Sequence, residues 1–148
     1  MRLALYQPEI AQNTGTLLRT CACLNVGIDI IEPCGFVFSS SKIRRSGMDY
    51  IDHVDLIKHA SWSDFLSNTS NRLVLLTPHT EISYYDFKFE KDDTLLLGQE
   101  SCGVPEEVFN QCNAAIKIPM YGTMRSLNVA IAGSMVLGEA IRQTSSYR

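Results

Sequence analysis

Three short stretches gather Gly, Asn, Arg, Ser and Glu where an apolar run gives way to polar residues: Asn13-Thr14-Gly15-Thr16-Leu17-Leu18-Arg19, Leu97-Gly98-Gln99-Glu100-Ser101-Cys102-Gly103-Val104-Pro105, and Ile118-Pro119-Met120-Tyr121-Gly122-Thr123-Met124-Arg125-Ser126-Leu127-Asn128. In the first, Asn13 or Thr14 can cap a helix that carries Arg19 about a turn and a half further on. The plain alternative is an ordinary cap followed by a solvated arginine. In the second, two glycines bracket a carboxylate and a hydroxyl, so the backbone can turn sharply and offer N–H and C=O groups to a ligand. A tight strand-to-helix turn without a ligand is the competing reading. The third places Ser126 at the start of an apolar helix and Asn128 in its first turn. Packing alone would choose an apolar residue there, so the polar one invites a functional explanation.

These stretches need a scaffold, and the rest of the chain supplies one. Short apolar runs near Leu3–Tyr6, Gly27–Ile31, Val54–Ile57, Leu73–Thr77, Thr94–Leu97 and Ala115–Ile118 read as strands. Several are continuously apolar, as strands of a parallel sheet covered on both faces must be. Helices are expected over Thr14–Leu24, from Ser61 with Asp64 completing a capping pair, from Pro105 with Glu106 and Glu107 in the first turn, and over Leu127–Thr144. The alternation implies an α/β fold, a mostly parallel sheet flanked by helices, with the three polar stretches at strand ends where such sheets bind ligands. The last helix is apolar nearly all round, which marks it as buried. Its small residues Ala130, Ala132, Gly133, Ser134 and Gly138 would admit another backbone. A homodimer interface along part of it is therefore expected. Between Pro78 and Asp93 a long surface connection is expected, anchored by Tyr84, Tyr85, Phe87 and Phe89.

Composition narrows the functions available. The chain has 148 residues, 45% hydrophobic and 20% charged, enough for one domain with one core. No apolar run reaches the roughly 18 residues a membrane span needs, and the start lacks a signal peptide's pattern, so a soluble cytoplasmic protein is expected. Cys21, Cys23, Cys34, Cys102 and Cys112 include no C-x-x-C pair and read as buried or half-buried thiols; His53, His59 and His79 lack metal-ligand spacing, so no metal is expected. A formal charge of −3 argues against non-specific coating of nucleic acid but leaves room for a local basic patch, and Lys42, Arg44 and Arg45 form one. The dinucleotide, P-loop and nucleophile-elbow fingerprints are missing.

In order and spacing, the three stretches resemble the SPOUT methyltransferases, most closely the small TrmL-like branch of tRNA 2′-O-methyltransferases that act on the wobble cytidine or uridine. The resemblance also takes in Leu5-Tyr6-Gln7-Pro8-Glu9-Ile10, Ile31-Glu32-Pro33 and Arg44-Arg45-Ser46-Gly47-Met48-Asp49-Tyr50, and so spans nearly the whole chain. It implies one SPOUT domain over 1–148, an α/β knot whose C-terminal part is a trefoil. It implies a homodimer and bound S-adenosylmethionine, released as S-adenosylhomocysteine. The cofactor would touch Leu76 and Thr77, then Gly98, Glu100 and Gly103, then Ile118, Met120, Ser126, Leu127 and Asn128. Larger relatives that modify ribosomal RNA carry an extra N-terminal domain; a chain that opens on the catalytic domain fits the small tRNA branch. Gln99 and Ala130 depart from the residues common in the family and bear on the shape of the pocket.

The same resemblance assigns catalysis to Arg19, with Glu100, Ser126 and Asn128 fixing loop and cofactor geometry. A guanidinium stays protonated, so Arg19 is expected to clamp a phosphate and stabilise developing alkoxide charge while phosphate or solvent takes the proton. Lys42, Arg44, Arg45 and Arg125 are the expected contacts to the anticodon stem-loop of tRNA. Methylation of another RNA such as ribosomal RNA, a non-catalytic RNA-binding module, and a flavodoxin-like nucleotide-binding protein are the alternatives.

Overall fold

The computed structural model describes residues 1–39, 41 and 49–145. Strands β1 (Arg2–Tyr6), β2 (Gly27–Ile31), β3 (Leu56–His59), β4 (Leu73–Leu76), β5 (Thr94–Leu97) and β6 (Ala114–Ile116) form one sheet in the order β3-β2-β1-β5-β4-β6. Every pairing in it is parallel. Helices α1 (Ala11–Leu24), α2 (Trp62–Asn68), α3 (Glu106–Gln111) and α4 (Val129–Thr144) flank it, with a 3-10 turn at Asp49–His53.

Side chains alternate along each strand, and both faces are covered. Leu3, Leu5, Ile28, Ile30, Leu95 and Leu97 pack with α1 and α4 on one side; Ala4, Tyr6, Ile31, Leu75 and Leu96 pack with Phe65 of α2 and Val108 of α3 on the other. That double coverage makes the central strands mostly apolar. Among the described residues, no helix is long and apolar enough to cross a membrane.

Several expected boundaries shift. β3 runs two residues later than expected and ends on His59, whose ring is buried against Asp29 and stands edge-on to Phe65 at 5.2 Å. α1 starts at Ala11, three residues early, so Asn13 and Thr14 are buried inside it and neither caps it. Pro105 lies just before α3 with an extended ψ of 157°, and Glu106 is the first helical residue. Ser61 does cap α2, accepting from the Asp64 N–H at 3.1 Å, while Asp64 Oδ2 accepts from the Ala60 N–H at 2.9 Å.

The last helix is not buried all round. Ala130, Gly133, Val136, Leu137 and Ala140 face inward, while Ile131, Met135, Gly138 and Arg142 form an exposed stripe. Part of its small-residue content serves this chain's own packing, because a Cβ on Gly133 would lie 2.6 Å from Leu97 Cδ1. In the 78–93 connection Tyr84 and Phe89 are buried and Phe87 half-buried, but Tyr85 is exposed, its ring lying against Tyr84 at 4.2 Å. The thiols also divide. Cys23 and Cys102 are exposed, contrary to expectation, whereas burial pushes Cys21 up to about 12.

Asp29 is a carboxylate 3% exposed within β2, which requires partners. Its oxygens take Arg2 Nε at 2.6 Å and His59 Nε2 at 2.7 Å, and Arg2 also reaches Asp55. The group ties β1, β2 and β3 together. It also lines a concavity of about 530 Å³, shared with Ile57, Phe65 and Asn71.

Candidate functional site

The sheet order brings the second and third polar stretches together. β4 lies between β5 and β6, with Leu76 opposite Leu97 on one side and Ile116 on the other. The Thr77 N–H donates to the Ile116 carbonyl at 2.9 Å. Leu76-Thr77, Gly98 and Lys117-Ile118 therefore leave the sheet side by side, within about 10 Å, as three neighbouring strands at ordinary spacing must.

Beyond β5 the chain closes a narrow ring. Gln99 and Gly103 exchange backbone hydrogen bonds at 2.8 and 2.9 Å. A Cβ on Gly98 would sit 2.6 Å from the Gly103 carbonyl carbon, and Gly103 has φ of +70°. The ring thus needs glycine at one end for space and at the other for conformation.

Glu100, at the tip of this ring, reaches across to α1. Its carboxylate accepts from the Glu9 N–H at 2.8 Å, the Ile10 N–H at 3.2 Å and Asn13 Nδ2 at 3.2 Å. The N-cap Ile10 has no side chain able to cap, so a carboxylate 90 residues away in sequence supplies both the acceptor and the charge that a helix start favours. The contact is reciprocal. Glu9 accepts from the Ser101 N–H and from Ser101 Oγ, both at 2.8 Å.

Asn13 extends the clasp to the third stretch. Its Oδ1 accepts from Asn128 Nδ2 at 2.9 Å, and Asn128 Oδ1 accepts from the Ala130 and Ile131 N–H groups at 2.9 and 3.3 Å. Asn128 is thus the N-cap of α4 rather than a residue of its first turn, which accounts structurally for its polarity. Leading into it, residues 120–128 are exposed, with Tyr121 at 89% and Met124 at 74%, and Arg125 and Ser126 carry no partner among the described residues. No main-chain hydrogen bond joins 119–127 to other backbone among the described residues, leaving those groups open to a ligand.

Arg19 lies on α1 about 9 Å along the axis from Asn13. It is exposed, and its guanidinium carbon stands 4.8 Å from the centre of the Tyr50 ring. Among the described residues, no hydrogen bond or ion pair links it to Glu100, Ser126 or Asn128. Lys42, Arg44 and Arg45 lie outside the described residues. The structure thus joins Asn13, Glu100 and Asn128 directly and brings Leu76, Thr77, Gly98, Gly103 and Ile118 together through strand register. Cys34 is held protonated by burial, up to about 11, and offers no nucleophile.

Sequence reasoning overlooked Glu9 and Tyr50. Glu9 has no local signal to separate it from any surface glutamate, because its partner is remote. Tyr50 stands inside a quoted segment, but its pairing with Arg19 needs the fold.

Residues 1–138 match the SpoU rRNA methylase family. The chain is 53% identical over 147 residues to a tRNA (cytidine(34)-2′-O)-methyltransferase of Beijerinckia indica, covering 97% of this chain and 92% of the relative. It superposes on a solved structure bearing on 2-OH methylation of C/U34 on tRNA with a TM-score of 0.89 at 44% identity, covering 96% of this chain and 94% of that one. An AdoMet-bound rRNA methyltransferase from Sinorhizobium meliloti gives a TM-score of 0.85 at 27% identity, covering 98% of this chain and 57% of that one.

Proposed function

The chain belongs to the SpoU rRNA methylase family, and from that premise we propose that it is an S-adenosylmethionine-dependent 2′-O-methyltransferase acting on the wobble cytidine or uridine of tRNA. The observation that carries this reading is the joint exit of Leu76, Gly98 and Ile118 from three adjacent strands, with the Gly98–Gly103 ring clasped to α1.

The residues there suit the cofactor. Leu76 and Ile118 are half-buried, and Met120 and Leu127 are each 38% exposed, giving apolar surface for a purine and a thioether. The open main chain of 119–127 and the Gly98–Gly103 ring offer neutral donors and acceptors, with Thr77, Ser126 and Asn128 alongside. Bound there, S-adenosylmethionine supplies a methyl group activated by its sulfonium and leaves as S-adenosylhomocysteine. Glu100 and Asn128 hold the two loops in register. Their effect on rate comes from placing the ribose oxygen about 3 Å from the methyl carbon and in line with it. Arg19 clamps a phosphate beside the target ribose and stabilises charge on the 2′-oxygen, while phosphate or solvent takes the proton.

The rest of the reading follows the same line. A single SPOUT domain spans 1–148, and the ring and the 118–128 segment are the threaded parts of a trefoil knot. Two copies pair through the exposed stripe of Ile131 and Met135 with Met124 and Leu127. Lys42, Arg44, Arg45 and Arg125 meet anticodon-stem phosphates, and the protein works in the cytoplasm.

The deciding experiment incubates purified protein with methyl-labelled S-adenosylmethionine and unmethylated total tRNA or ribosomal RNA, then maps ribose methylation. Label at nucleotide 34 of tRNA is expected; label in ribosomal RNA alone, or none, defeats the proposal. Neutralising Lys42, Arg44 and Arg45 together should flatten the salt dependence of tRNA binding by about three in log–log slope and spare cofactor binding.

A further inference from the structure

Among the described residues Arg19 is held differently from Arg2, Arg72 and Arg142. Arg2 pairs with Asp29 and Asp55, Arg72 with Asp93 and Glu90, and Arg142 with Glu139. Among the described residues Arg19 has no carboxylate partner; it has the face of Tyr50, 4.8 Å from guanidinium carbon to ring centre. A carboxylate would hold the side chain but cancel its charge and occupy its N–H fork. An aromatic face attracts the cation through its quadrupole and leaves the net charge intact for an incoming anion.

Tyr50 is itself anchored. It sits in the 3-10 turn Asp49–His53, where its neighbour Ile51 is buried, while Tyr50 remains half-exposed beside α1. The turn thereby places a fixed ring under a side chain that would otherwise sweep freely through solvent.

We infer that Tyr50 is a positioning residue for methyl transfer, its ring holding the Arg19 guanidinium uncancelled and aimed at the substrate phosphate and ribose. The inference rests on the role proposed above for Arg19. It concerns the ring rather than the hydroxyl, so phenylalanine should replace Tyr50 and an aliphatic residue should not. Because Tyr50 acts through Arg19 and not through the cofactor loops, its loss should lower kcat without moving the affinity for S-adenosylmethionine.

The test measures methylation kinetics on tRNA, with cofactor binding by calorimetry, for Tyr50→Phe, Tyr50→Leu, Arg19→Lys and the double variant Arg19→Lys/Tyr50→Leu. Tyr50→Phe should stay within about twofold of the unsubstituted enzyme. Tyr50→Leu should lose about tenfold in kcat at unchanged cofactor affinity, and should lose little more when Arg19→Lys is already present. Near-normal turnover by Tyr50→Leu, equal losses in the Phe and Leu variants, or losses that multiply in the double variant would overturn the inference. If Arg19→Lys turns over normally, the role of Arg19 itself fails. If Arg19→Lys is slow while Tyr50→Leu is normal, only the inference about Tyr50 fails. A further reading needs no Tyr50 variant. The Arg19 Nε–H resonance of the intact protein, identified by its loss in Arg19→Lys, should be moved upfield by the ring; an unshifted resonance counts against the contact whatever the variants do.

Discussion

Two polar networks among the described residues each join segments far apart in sequence, and they end differently. The group around Asp29 links Arg2, His59 and Asp55, and its central carboxylate is buried with both oxygens taken. The group around Glu100 links Glu9, Ile10, Asn13 and, through Asn13, Asn128, and it opens onto the exposed 120–128 segment. The first lines a concavity of about 530 Å³, yet its groups answer one another. The second borders little enclosed volume, yet it adjoins main-chain groups of 119–127 that take no backbone partner among the described residues. A network that closes on itself pins strands together. One that leaves donors and acceptors outside itself prepares a binding surface, so concavity alone is a poor guide to the site here.

Breaking each network in turn should separate the two roles. The largest effect is expected from Asp29→Ala, which leaves His59 and the Arg2 Nε–H without their buried acceptor and should cost about 3–5 kcal/mol in denaturant unfolding. The folded fraction should keep its kcat within about twofold; a collapse of kcat at full folding would make Asp29 part of the site. Glu100→Ala leaves three N–H groups without their acceptor and should cost about 2 kcal/mol of stability. Here KM for S-adenosylmethionine should also rise, by about tenfold or more, and an unchanged KM would reduce the Glu100 network to architecture.

Smaller effects sharpen the same contrast. Asn128→Ala and Ser61→Ala each remove an N-cap and should each cost about 1 kcal/mol. Only the first should slow methylation, because only α4 starts at the site; equal kinetics in the two would erase the distinction. Gly103→Ala is expected to have an effect on stability of similar size, about 1 kcal/mol. Nothing lies within 4 Å of the added methyl, so the strain comes from the φ of +70° alone. Gly103→Asn should recover part of the loss, since asparagine tolerates that conformation better, as melting temperatures of the three proteins would reveal.

Much of the fold was legible because it rests on local pattern. The runs at Gly27–Ile31 and Thr94–Leu97 coincide with β2 and β5, since strands buried on both faces are mostly apolar, Asp29 being the paired exception in β2. Ser61 and Asp64 announced the start of α2 because both capping partners lie within one turn. The errors fall where the partner is remote. Asn13 and Thr14 looked like caps because the true acceptor for the α1 start comes from Glu100, and β3 is expected too early because His59 becomes an interior residue only through its contact with Asp29.

The amino-acid order alone determined the parallel α/β class, the three polar stretches at strand ends and the family resemblance, since each depends on residue type and spacing along the chain. Only the tertiary structure decided that Glu100 caps α1, that Asn13 bridges it to Asn128, and that Tyr50 lies against Arg19. Those contacts unite residues that chain distance leaves independent until the strands have taken their places, and hydrogen bonds and ring contacts act over a few ångströms whatever the separation in sequence.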